Sequence, residues 1–116
     1  MIVSESFVIA DWTDPGVTSR ERPIAGLHTH RSDDEAWYVV SGRLGFQIGD
    51  DEVEVPAGGS ILVERGTPHS YWNAVAETTN YLLVMTPRIH ELIQALHSGE
   101  RSDWAAIFEE HDSELL

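Results

Sequence analysis

Short segments rich in β-branched and aromatic residues, each soon cut off by glycine, proline or aspartate, fill the first 86 residues of this chain. Ser6-Phe7-Val8-Ile9 reads as a first strand, and Asp14-Pro15-Gly16 as a turn. Ala36-Trp37-Tyr38-Val39-Val40 stops at Ser41-Gly42, and Leu44-Gly45-Phe46-Gln47-Ile48 stops at Gly49-Asp50-Asp51, a hairpin signal. Glu52-Val53-Glu54-Val55 alternates and ends at Pro56-Ala57-Gly58-Gly59. Ile61-Leu62-Val63 ends at Gly66-Thr67-Pro68, and Ser70-Tyr71-Trp72 and Tyr81-Leu82-Leu83-Val84-Met85 complete the series. Many short strands at close spacing imply an all-β sandwich or barrel rather than a parallel sheet.

Helical periodicity begins only after residue 86. Pro87 opens Arg88 to His97, where Ile89, Leu92, Ile93 and Leu96 recur at i, i+3, i+4 and i+7. Ser98-Gly99 ends this helix, and Ser102 is placed to cap a second one through Trp104, Ile107 and Phe108. Glu109 to Leu116 reads as a frayed acidic tail. The expected organisation is one domain over residues 1–116, a barrel over about 6–86 and a helical segment over about 87–111.

Composition narrows the chemistry. The chain has no cysteine, so thiol catalysis, disulfides and thiolate metal sites are excluded. Any transition metal must then sit on histidine and carboxylate. A net charge of -13, from 7 basic and 20 acidic residues, repels phosphate backbones and argues against nucleic acid as a partner. The start, Met1-Ile2-Val3-Ser4-Glu5-Ser6, has no basic n-region or long apolar run, and no stretch has the length of a membrane span. A cytoplasmic protein is the expectation.

Six histidines are present, and their placement matters more than their number. His28 and His30 stand two apart, so on a strand both rings face one side. Arg31-Ser32-Asp33-Asp34 reads as a turn, after which Glu35 opens a strand that could return a carboxylate to the same place. His69 opens another strand after Gly66-Thr67-Pro68. Three imidazoles and one carboxylate suit one divalent transition metal: Fe, Mn, Ni, Co, Zn or Cu. His90 and His97 lie seven apart on the predicted helix and read as solvent or interface residues, and His111 as an exposed tail residue.

These residues resemble the two motifs of the cupin superfamily. His28-Thr29-His30, four residues, Glu35, six residues and Gly42 fit the first motif. Gly58, Gly66, His69 and Asn73 fit the second at its spacing. Two positions depart from the pattern: the first motif's leading glycine falls at Arg22, and the second motif's proline at Glu64. Neither is a ligand position. The resemblance implies a jelly-roll barrel, or double-stranded β-helix, of six to eight strands with a metal inside one end. It assigns the metal ligands to His28, His30, Glu35 and His69, and gives the glycines at 42, 58 and 66 a role in turns. Asn73 is expected to close a loop by hydrogen bonds.

Strand parity adds two pocket candidates, Tyr71 beside His69 and Trp37 beside Glu35; Phe46, Tyr81 and Met85 are further wall candidates. Arg43 and Arg65 could meet a substrate carboxylate at the barrel mouth, although surface ion pairing suits them better. The functional expectation is a metal-dependent enzyme acting on a small organic molecule, with dioxygenase-like or isomerase-like chemistry. The alternative is a non-catalytic small-molecule-binding or sensor cupin. No separate general base stands out. Small cupins pair through sheet edges, so a homodimer is the expected state.

Overall fold

Alternation along the strands decides which residues turn inward. In the computed structural model, which describes residues 1–16 and 18–116, Glu35, Trp37 and Val39 of the strand Glu35–Ser41 are buried while Tyr38 and Val40 face out. Thr79, Tyr81, Leu83 and Met85 do the same in Thr79–Met85. Ten strands are present among the described residues: β1 (Ile2–Val3), β2 (Val8–Asp14), β3 (Ala25–His30), β4 (Glu35–Ser41), β5 (Arg43–Ile48), β6 (Asp51–Pro56), β7 (Ser60–Val63), β8 (His69–Asn73), β9 (Thr79–Met85) and β10 (Ser113–Leu115). Two helices, α1 (Pro87–Ser98) and α2 (Trp104–Glu110), separate β9 from β10.

The strands form two five-stranded antiparallel sheets, ordered β1-β2-β9-β4-β7 and β10-β3-β8-β5-β6. Their inner faces share one apolar core that includes Trp37, Leu44, Phe46, Val63, Tyr81 and Leu83. This is the double-stranded β-helix with short C-terminal helices that the motif resemblance implies.

Glycine is required at Gly42, whose φ of +85° lies in the left-handed region. A Cβ there would also stand 2.8 Å from the Thr79 Cα, so the β4–β5 turn packs directly onto β9. Gly66, at φ +80°, donates its N–H to the His30 carbonyl at 2.7 Å and so ties the turn before His69 to β3. Asn73 closes a loop as expected. Its Nδ2 donates to the Gly16 and Glu77 carbonyls, both at 2.9 Å, and its Oδ1 accepts from Thr79 Oγ1 at 2.7 Å.

Several local expectations are corrected. The strand expected at 6–9 runs over Val8–Asp14, because all seven of its residues pair with β9. Ser102 does not cap α2; it lies inside a 3₁₀ turn, Arg101–Asp103, that leads into the helix. The largest correction concerns the tail. Instead of fraying, it completes α2 and then pairs along β3, Ser113 opposite His30 and Leu115 opposite His28. Ser113 is fully buried, and His111 is half-buried with its Nδ1–H on the Ile107 carbonyl at 2.7 Å. The barrel thus has ten strands rather than six to eight, and the last belongs to the sheet that carries the histidine pair.

Candidate metal centre

Both sheets contribute to one buried cluster. β3 and β8 are neighbours, and His28 is the direct cross-strand partner of His69. His30 follows two residues along β3, on the same face. Glu35 starts β4 in the opposite sheet and reaches across, its register set by pairing with Val63. One ligand atom from each of His28, His30, Glu35 and His69 lies within 4.8 Å of all the others. All four side chains are buried.

Hydrogen bonds determine what these rings present to one another. His28 Nδ1 contacts the Gly26 carbonyl at 2.6 Å, and His69 Nδ1 contacts the Thr67 carbonyl at 2.9 Å. A carbonyl only accepts, so both Nδ1 atoms carry the proton. Ser113 Oγ donates to the His111 carbonyl at 3.1 Å, so it accepts from His30 Nδ1–H at 2.7 Å. In the neutral ring each Nε2 is then a bare lone pair. His69 Nε2 lies 3.0 Å and His30 Nε2 3.2 Å from Glu35 Oε1. Among the described residues, His30 Nε2 is nevertheless a buried nitrogen with no hydrogen-bond partner.

Electrostatics call for positive charge at the cluster. Burial, followed by the neighbouring His69, drives the His28 pKa down to about 4, so this ring is neutral at pH 7. Burial alone would raise the Glu35 carboxyl, but the adjoining His30 and His69 outweigh it and hold the pKa down to about 2. Such a depression calls for positive charge at the Nε2 atoms, and since these present lone pairs in the neutral rings, a divalent transition metal would supply it and fits the donor set. Each ring already holds the outer hydrogen bond that metal-ligating histidines use to stay oriented.

A cavity of about 600 Å³ opens onto the cluster. It reaches His28, His30 and Glu35 but not His69. Of the wall candidates, Tyr71 lines it. Trp37, Phe46, Tyr81 and Met85 do not: they point inward, but pack with one another in the core behind the cluster. Trp37 meets Phe46 edge-on at 5.0 Å, and Phe46 stacks on Tyr71 at 5.6 Å. The cavity wall comes instead from α1, α2 and the approach to β3, including Ile24, Ile89, Leu92 and Phe108. His97, expected at a solvent or interface position, sits on the cavity rim against Trp12, ring centroids 5.6 Å apart. Arg43 and Arg65 are outside the cavity and pair with Glu54 and Asp34.

Sequence reasoning missed Ser113, which orients His30. It also missed two clamps that hold the tail. Arg31 donates to the Ser113 carbonyl at 3.0 Å and to Glu109 at 2.9 Å. Arg88 of α1 pairs with buried Asp33 at 2.8 Å and lies 3.6 Å from Asp112. The period-2 rule carried no signal for any of these.

Behind the cluster, Tyr71 and Tyr81 share a hydrogen bond of 3.0 Å. Burial raises both phenols, Tyr71 well above its ordinary 10 and Tyr81 to about 12. A folded-state pKa above the unfolded value gives stability that is complete below pH 10 and is lost as pH rises toward 12. Denaturant midpoints measured from pH 8 to 12 are therefore expected to fall above pH 10. A Tyr81→Phe variant should show a shallower fall, and an equal slope in both proteins would refute the assignment.

A double-stranded β-helix with three imidazoles and a carboxylate gathered inside one end defines the class of protein this is. Residues 19–85 match the cupin domain family, and the chain belongs to it. An uncharacterised protein of Streptomyces coelicolor is 30% identical over 74 residues, covering 64% of this chain and 63% of that relative. The chain thus matches less than two thirds of that relative's length. Among solved structures, a conserved double-stranded β-helix protein of unknown role from Klebsiella pneumoniae superposes with a TM-score of 0.63 at 22% identity. That match covers 75% of this chain and 68% of the other. A predicted oxalate decarboxylase from Thermotoga maritima gives 0.60 at 23% identity, covering 71% and 67%. At these identities the two structures speak for the fold alone. No helix among the described residues is long and apolar enough to cross a membrane.

Proposed function

We propose that this cupin is a metal-dependent enzyme acting on a small organic molecule, with His28, His30, Glu35 and His69 as the metal ligands. One observation carries the reading: four buried donor atoms within 4.8 Å of one another border a cavity large enough for such a molecule. A bound divalent ion would supply Lewis-acid polarisation of an enol, carbonyl or carboxylate oxygen, or, if redox-active, electron exchange with O₂. The chain's own residues do the rest. The Gly26 and Thr67 carbonyls and the Ser113 hydroxyl hold the three rings in the tautomer that offers Nε2. Helix α1 and Phe108 of α2 give the open side an apolar wall, and the closed side behind His69 is packed with aromatic core.

Dioxygenase-like and isomerase-like reactions both fit this site, and the predicted oxalate decarboxylase among the structural neighbours adds decarboxylation as a third class. A non-catalytic sensor would share the ligands; the open face toward a cavity favours chemistry. Cytoplasmic residence and a homodimer belong to the same reading. Exposed Tyr38 and Val40 of β4 and Leu62 of edge strand β7 support the latter, and the mass in solution tests it.

Chelator-stripped protein is expected to take up one equivalent of Fe, Mn, Ni, Co, Cu or Zn per chain. The loaded protein should consume O₂ with an enediol or flavonol, or isomerise or decarboxylate a related small acid. No affinity for any of the six ions would end the proposal.

A further inference from the structure

We propose that the cavity takes an amphipathic organic acid, its apolar body against the helical wall and its carboxylate held at the rim by Arg22 and Arg101. The proposal deepens the functional reading above and rests on it only for the reacting end of the ligand.

The distribution of charge across the chain points to this. Every side-chain cation is an arginine, and there are 7 against 20 acidic residues. Five of them are paired with carboxylates. Among the described residues, Arg22 and Arg101 have no carboxylate within 4.0 Å, and both line the cavity. In a chain so rich in acid, two uncommitted guanidinium groups at one cavity are a conspicuous arrangement. Both are exposed, whereas His28, His30 and Glu35 are buried, so the arginines stand where the cavity meets solvent. Arg101 also lies over the Trp104 ring at 4.7 Å, a cation–π contact that restrains the side chain without using its N–H donors.

The remaining lining describes the rest of the ligand. Ile24, Leu83, Ile89, Leu92, Ile93 and Phe108 present an apolar surface. Among the described residues, the buried indole N–H groups of Trp12 and Trp104, two further lining residues, have no partner, and a ligand oxygen can supply one. Glu21 also lines the cavity, and the chain carries -13 overall. That field penalises a dianionic phosphate more than a monoanion, and a planar carboxylate matches the guanidinium fork.

Calorimetric titration of the purified protein with 4-phenylbutyrate, 4-phenylbutanol, acetate and 4-phenylbutyl phosphate tests the assignment. The acid is expected to bind about tenfold more tightly than the alcohol, and more tightly than acetate or the phosphate. Arg22→Gln and Arg101→Gln should each weaken the acid and leave the alcohol unchanged; both sites are exposed, and circular dichroism checks the fold. The same titrations on chelator-stripped protein separate this idea from the metal reading. A preference for the acid that survives stripping supports the arginine site, whether or not a metal binds. Equal binding of acid and alcohol, no binding of either, tighter binding of the phosphate, or a preference untouched in both arginine variants would overturn it. So would a preference that vanishes with the metal, which would move the carboxylate to the metal and leave the functional reading intact.

Discussion

Replacing His69 by alanine is expected to lower affinity for a divalent transition metal by more than about a hundredfold, since losing an outer-shell partner alone costs about 10–100-fold. His69 is a direct donor in the proposed set, and it sits on the closed side of the cluster. The cavity reaches His28, His30 and Glu35 but stops short of it. Its ring is 1% exposed and packs edge-on against Trp37 at 5.9 Å. Solvent from the cavity therefore has no direct route to the position the ring would leave. Competition against a chelator of known affinity measures the loss. Circular dichroism separates lost ligation from lost folding. An alanine variant that is folded and binds metal as the parent does would remove His69 from the ligand set.

Deleting residues 112–116 should produce the second large effect, through His30. Ser113 accepts the His30 Nδ1 proton, and β10 covers the edge of β3 on which both histidines stand. Without it, β3 becomes a bare sheet edge and His30 is free to take the other tautomer. Metal affinity is expected to fall about 10–100-fold. The melting temperature of the metal-free protein should drop by at least about 4 °C, the shift for roughly 1 kcal/mol in a domain near this size. Ser113→Ala keeps the strand and removes only the hydroxyl. It should reproduce the affinity loss with a smaller fall in melting temperature than the deletion causes, and Ser113→Thr should restore the affinity. A truncated chain that binds metal as tightly as the full one would contradict this role for the tail.

The legibility of these features in the sequence was uneven, for physical reasons. His28 and His30 share a face because strand geometry has a period of two, so spacing alone places them together. Glu35 and His69 became part of the set through the spacing of the cupin motifs, since no local rule brings β4 and β8 to the same point. Trp37 shares the parity of Glu35 and turns inward, as do Phe46, Tyr81 and Met85, but parity says nothing about where a barrel interior is filled and where it is open. The opening depends on how α1 and α2 fold back, which is a tertiary matter. The tail was misread for a related reason. Ser113-Glu114-Leu115 is too short to declare itself a strand, and its conformation comes from the neighbour it pairs with. Arg22 and Arg101 look like any surface arginines until the other five are seen to be occupied.

The bond between His30 and Ser113 also bears on how the molecule assembles. These residues are 83 positions apart, so their contact belongs to the most remote pairings the chain makes. Remote pairings carry the largest loop-closure cost and slow the search for the native state. The ring of His30 gains its fixed proton only once that search has ended. On the reading proposed above, a partly folded chain offers at most a loose set of imidazoles, and a metal is captured with full affinity only by a barrel whose two ends have already met.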